Sequence, residues 1–195
     1  MVATLTLAWC RDHDALPEAV QKWEDAVERR GLSLGGWISL LQSARKPLVQ
    51  DQLDPLRRSI GLAIDGGWEP LSKFTPTRNQ FAHGGRPQVR GEVEKAATDL
   101  DHRASTILDA IESMTSVRVA VVEDSIALPG GKFDVDLDVF TGYAEIPTPQ
   151  RLRSARPFPA GAVIAYKTGQ LQYAADLTPY CLHRKCLVCG RDELF

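Results

Sequence analysis

One short segment combines the side chains best suited to phosphate chemistry: Arg78, Asn79 and, after three further residues, His83. A guanidinium can hold a phosphate through paired hydrogen bonds and can stabilise the charge of a transition state. An imidazole can transfer a proton near neutral pH, and an amide can orient either group. The segment predicts metal-independent cleavage of RNA, in which the ribose 2′-hydroxyl attacks the neighbouring phosphate.

The residues around this segment favour a polyanionic ligand. Between Leu71 and Gly91 the chain has four basic residues and no acidic residue. Apart from Arg78 these are Lys73, Arg86 and Arg90, which we predict to contact nucleic acid. The whole chain has a formal net charge of −2, so an RNA contact has to come from such a local patch.

Local signals predict that the segment lies on a short helix of its own. Thr75 is a good N-cap, Pro76 suits the first helical position, and Gly84-Gly85 is a strong stop signal. His83 then lies at the helix C-terminus, where the helix dipole favours a protonated ring.

Helical spacing constrains how the three side chains can cooperate. Asn79 and His83 are four residues apart and share one face. Arg78 and His83 are five apart, which separates them by about 140° around an ideal helix. Either the arginine side chain folds back, or the two residues converge across a two-fold axis with a second copy of the chain.

These residues resemble the hallmark of the HEPN superfamily: an arginine, a polar residue that is often asparagine, and a histidine a few residues later. The resemblance covers approximately residues 15–115. It implies a helical bundle, a homodimer with a composite active site, and in many members a ribonuclease that needs no cofactor. In that reading Arg78 binds the phosphate, His83 transfers the proton and Asn79 positions the reacting groups.

The resemblance also implies a biological setting and an alternative. HEPN ribonucleases act in toxin–antitoxin, anti-phage and RNA-processing systems, so an antitoxin or an effector-complex protein is an expected partner beside RNA. In the branch silenced by modification of a tyrosine, that tyrosine lies two residues after the histidine. This chain has Gly85 there, so such silencing is not expected. Other members are non-catalytic modules that bind nucleic acid or a partner protein.

The cysteines suggest a second kind of site near the end of the sequence. Cys186 and Cys189 have the Cys-x2-Cys spacing of a zinc knuckle, with Gly190 directly after them. Cys181 and His183 are the nearest further ligands, so the four residues predict a structural zinc site. The alternative is an incomplete knuckle with Cys181 buried in a strand. Three cysteines in so short a segment suit a reducing cytosol better than a disulfide scaffold.

Hydrophobic periodicity predicts an α+β fold in two parts. Residues 1–116 are predicted to form an antiparallel helical bundle, and residues 117–195 a small antiparallel β module. Predicted helices cover about 15–29, 34–46, 51–64, 68–83 and 89–114. Ser33 is a candidate N-cap for the second of these helices and Pro47 is predicted to end it, and the last helix is predicted to bury an apolar stripe from Val93 to Ile111. Predicted strands are 117–122, 133–140 and a hairpin over 162–173, and the segments between them, 147–159 especially, are predicted to be loops. Asp134, Asp136 and Asp138 alternate with apolar residues, which indicates a solvated strand face rather than a calcium loop.

The remaining features are those of an average cytosolic protein. The chain has 195 residues, of which 44% are hydrophobic and 25% charged, enough to bury an ordinary core. No apolar run is long enough to span a membrane, and the first residues lack the basic start of a signal peptide.

Overall fold

A computed structural model shows five helices followed by an antiparallel sheet, which confirms the predicted α+β class. It describes residues 1–31, 33–50, 53–85, 89–141, 146–186, 188, 190 and 192–194. The helices are α1 (Val2–Asp12), α2 (Pro17–Arg30), α3 (Leu34–Gln50), α4 (Pro55–Ala82) and α5 (Arg90–Ile111), followed by a 3-10 turn at Glu112–Met114. The strands are β1 (Val117–Leu128), β2 (Lys132–Phe140), β3 (Thr148–Ser154), β4 (Val163–Lys167), β5 (Gln170–Asp176), β6 (His183–Lys185) and β7 (Asp192–Leu194).

The first helix is the centre of the main core, although it has no counterpart among the predicted helices. All six residues from Leu5 to Cys10 are buried. They pack between α2, α3 and α4 on one side and β5 with the adjoining sheet on the other. Because these six consecutive residues are all buried, this stretch lacks the exposed polar face that marks a surface helix.

The five main strands form an antiparallel sheet in the order β3-β2-β1-β4-β5, and β6 pairs with β7 separately. One face of the sheet supplies Val121, Val163 and Ala165 to the core that includes α1. The opposite face forms a second apolar cluster of its own, covered by Phe158. Residues on both sides of position 116 therefore share one continuous core.

Strand β3 lies in a segment that the sequence predicts to be a loop. Its arginines pair with carboxylates of β2: Arg151 forms two hydrogen bonds with Asp136, of 2.5 and 2.7 Å, and Arg153 lies 3.5 Å from Asp134. The hydrogen bond from Arg151 lowers the pKa of Asp136. These pairs explain how a segment rich in Pro and Arg forms an edge strand. On β2, the buried residues alternate with the three aspartates, as predicted.

Helix α4 differs most from the prediction. The sequence predicts two helices separated at Gly66-Gly67, but the structure has one helix through this point and through Pro70 and Pro76. The glycines mark close helix contacts: a Cβ on Gly66 would lie 3.1 Å from the Ala110 Cβ of α5. A Cβ on Gly61 would lie 3.0 Å from the Leu48 carbonyl oxygen of α3. Packing on both sides outweighs the local cost of these glycines and prolines.

Helix α5 contacts α4 and leaves part of its apolar stripe uncovered. The sequence predicts a buried stripe over Val93–Ile111, and this is wrong, because no residue of α5 is fully buried. Val93 is 48% and Leu108 68% exposed. Within the described part of the chain, no helix is long and apolar enough to cross a membrane.

Candidate functional site

The Arg78–His83 segment forms the last turns of the long helix α4, not a short helix of its own. Thr75 and Pro76 lie inside α4, so their predicted capping roles are wrong. The predicted end is confirmed. His83 is the C-cap, Gly84 has φ +88°, and the Gly84 and Gly85 amides donate to the carbonyls of Phe81 and Gln80 at 3.3 and 2.9 Å. This pattern is a Schellman ending, which requires a residue such as glycine at the left-handed position.

Two of the three predicted catalytic residues lie at an accessible surface. Asn79 and His83 are both exposed, and the His83 amide donates to the Asn79 carbonyl oxygen at 3.0 Å. Among the described residues, the His83 imidazole has no hydrogen bond or ion pair. The backbone of Arg78 belongs to α4, but its side chain lies outside the described part of the structure. The imidazole is therefore open to a ligand that approaches the end of α4.

Two of the basic residues predicted to contact nucleic acid already form ion pairs with acidic side chains. Lys73 forms an ion pair with Glu69. The hydrogen bond within this pair lowers the pKa of the Glu69 carboxyl. Arg90 lies 2.8 Å from Glu94. Glu69 and Glu94 each lie one helical turn from their basic partner, just outside the segment from Leu71 to Gly91 that has no acidic residue. Four-residue spacing in the sequence could have revealed both pairs. Arg86 lies outside the described residues.

A cleft beside the motif is the main feature that the sequence analysis missed. It lies between the end of α4 and the start of α5 and has a volume of about 710 Å³. From α4 it is lined by Gln80 and Phe81, and from α5 by Glu92, Lys95, Asp99 and Arg103. The α5 residues recur at three- and four-residue spacing, which places them on one face. Nothing in the sequence indicates that this face meets the end of α4, because that depends on how the two helices pack.

A buried polar cluster at the start of α4 is a structural feature rather than a candidate site. Asp54 caps α4 by accepting from the amides of Leu56 and Arg57 at 2.8 and 3.0 Å. Its other oxygen accepts from the Trp9 indole at 2.7 Å. The His13 ring stacks on Trp9 with centroids 4.5 Å apart. All of these groups join α1 to α4, and His13, although exposed, contacts both Trp9 and Asp54.

The structure does not bring the described members of the predicted zinc site together. Cys181 packs at the edge of the main core, and burial raises the pKa of its thiol. His183 Nε2 lies 2.8 Å from Asp192 Oδ1, across the β6–β7 pair. The Cys186 carbonyl accepts from the Gly190 amide at 2.8 Å, and Cys189 lies outside the described residues. No group of three metal-binding side chains occurs among the residues that are described, and structural zinc stays a prediction.

The remaining cysteine is not a candidate nucleophile. Cys10 is buried in α1, and this burial raises the pKa of its thiol to about 11. Because the thiolate is the reactive form, Cys10 is an apolar core residue near neutral pH.

The chain matches no protein-family model, no curated protein and no solved structure. The HEPN resemblance therefore depends on the motif residues and on the helices that carry them.

Proposed function

We propose that the chain is a metal-independent endoribonuclease of the HEPN type, acting as a homodimer in the cytosol. The observation that carries this proposal is the exposed His83 imidazole at the end of α4, one turn after Asn79. Within the described residues no side chain engages that imidazole. A general acid or base has to be reachable by its substrate, and this ring meets that requirement.

The proposed reaction is an internal transfer at one phosphodiester. The proton of the ribose 2′-hydroxyl passes to a base, the O2′–P bond forms and the P–O5′ bond breaks. The leaving O5′ then takes up a proton, so the products are a 2′,3′-cyclic phosphate and a 5′-hydroxyl. His83 supplies proton transfer, Arg78 binds the phosphate, and Asn79 positions the substrate.

A second copy of the chain would solve two problems of this reaction. One imidazole cannot be the base and the acid at the same moment, whereas two copies of His83 can divide these roles. The same arrangement allows Arg78 of one copy to act with His83 of the other. An exposed apolar stripe on α5 supports self-association: Val93, Ala97, Ala104 and Leu108 recur at four- and seven-residue spacing and are all exposed.

We predict that Leu108→Glu converts the dimer into a monomer. Leu108 is 68% exposed, so a glutamate costs little in the single chain but opposes burial of the stripe against a second copy. Light scattering after gel filtration measures the mass of each form. Ile146→Glu is the control, because Ile146 is 78% exposed and belongs to the β2–β3 connection, not to α5. A wild-type protein that is monomeric, or a Leu108→Glu protein that stays dimeric, contradicts this interface.

The proposal includes a setting in which cleavage is controlled by a partner. A ribonuclease without base-pairing guidance has to be restrained in the cell, which fits an antitoxin or an anti-phage effector complex. The non-catalytic alternative is a module that uses the same surface to bind RNA or a partner without cleaving it. The products formed from RNA distinguish the ribonuclease from the non-catalytic module.

The experiment uses one unstructured RNA and the same oligonucleotide with 2′-deoxyribose at every position, both incubated with the protein in EDTA. The RNA is expected to be cut and to carry 2′,3′-cyclic phosphate ends, whereas the deoxy form stays intact because it lacks the nucleophile. Mass spectrometry identifies the ends. Cleavage of both oligonucleotides would refute the mechanism. Tight binding of RNA without cleavage would favour the non-catalytic module.

A further inference from the structure

The cleft between α4 and α5 has the size of a ligand-binding site. Its volume of about 710 Å³ lies within the range of ligand pockets in proteins. Phe81 supplies an aromatic surface, and Gln80 an amide. Gly85, two residues after His83, also lines the cleft, so the cleft extends to the C-terminal end of α4.

Glu92 and Lys95 are the charged groups of the cleft that are available to a ligand. Among the described residues, the side chains of Glu92 and Lys95 have no hydrogen bond or ion pair. Within the described part of the chain, Arg103 has two partners, the Asp99 carboxylate and the Thr77 hydroxyl, each at 3.5 Å. Its side chain is 23% exposed. Two carboxylates and two cations therefore line one cleft together with an aromatic ring.

We propose that this cleft binds a guanine base of the RNA substrate. Single-stranded RNA is read by stacking unpaired bases on aromatic side chains and by hydrogen bonds to their edges. Guanine offers N–H donors on one edge, which suit Glu92 or Asp99, and the O6 and N7 acceptors on another, which suit Arg103 or Lys95. Uracil and cytosine have no counterpart of the O6 and N7 pair, and adenine carries an amino group in place of O6.

The assignment of the cleft as an RNA subsite depends on the proposed ribonuclease function and specifies a base that the enzyme recognises. A base held in the cleft would bring its nucleotide to the C-terminal end of α4, which carries His83. The enzyme would then cut next to guanine. The sequence alone could not indicate this preference, because the donors and acceptors come from two helices.

Calorimetric titration of the full chain with the four nucleoside monophosphates tests the site without requiring cleavage. GMP is expected to bind at least about tenfold more tightly than AMP, CMP or UMP, the discrimination expected of one good bidentate contact. Glu92→Gln is expected to weaken GMP binding by about tenfold. The matched control is Glu94→Gln, since Glu94 is two residues away but paired with Arg90, and it should leave GMP affinity unchanged.

The cleavage products of a mixed-sequence RNA separate failure of this site from failure of the proposed function. GMP binding that depends on Glu92, without any RNA cleavage, would support a guanine site and reject the ribonuclease. Cleavage without preference for guanine, together with equal binding of all four nucleotides, would reject the guanine site alone. Equal GMP affinity of wild type and Glu92→Gln would also overturn the assignment.

Discussion

Replacing His83 with alanine is expected to lower RNA cleavage by at least about 100-fold, the usual minimum contribution of a positioned general acid or base. The folded structure should be unaffected, because the imidazole is exposed and the helix ends through backbone hydrogen bonds of Gly84 and Gly85. Initial rates on a fluorescent RNA in EDTA measure the loss, and thermal melting confirms the fold. RNA affinity should fall far less than the rate.

The control for this substitution is His102→Ala. His102 is also exposed, and it lies on α5, outside the motif. Its removal should leave the cleavage rate unchanged. Loss of activity in both variants would indicate a general effect of removing surface histidines, and full activity in His83→Ala would exclude His83 from catalysis.

The largest effect on stability is expected from Asp54→Ala. This change removes the N-cap of α4. It also leaves the N–H of the buried Trp9 indole without its hydrogen-bond acceptor. A lost cap costs about 1 kcal/mol, and an unsatisfied buried donor about 1–3 kcal/mol. The free energy of unfolding should therefore fall by about 2–4 kcal/mol, as measured by urea denaturation.

Asp65→Ala is the matched control for Asp54. Asp65 also accepts from a single side chain, Arg45 at 2.7 Å, but its side chain is 50% exposed. An exposed ion pair contributes at most about 1 kcal/mol. If both variants lose the same stability, the buried Trp9–Asp54 hydrogen bond does not hold α1 against α4.

Local patterns in the sequence were sufficient for features that depend on neighbouring residues. Gly84 ends α4 as predicted, because a left-handed residue after a helix is a local requirement. The alternation along β2 appears as predicted, since successive side chains of a strand point to opposite faces. Ser33 accepts from the Gly36 amide at 3.1 Å, as expected of an N-cap for α3.

Local patterns failed where another element decided the outcome. Pro47 was predicted to end α3, but it lies inside that helix. Gly66-Gly67 has the local signature of a stop, but at this point α5 packs so closely on α4 that a Cβ on Gly66 would crowd Ala110. A glycine that ends a helix and a glycine that allows two helices to pack closely cannot be distinguished in the sequence. Both roles depend on the absence of a side chain.

For the Arg78–His83 segment, the sequence by itself determined the residue types, the shared face of Asn79 and His83, and the helix end that exposes the imidazole. Only the tertiary structure decided that the segment completes a long helix and that a cleft between α4 and α5 adjoins it. The physical reason is that capping and helical spacing act within a few residues of the chain. The cleft and the exposed stripe of α5 depend instead on the packing of α5 against α4. That packing cannot be predicted from the types and spacing of a few neighbouring residues.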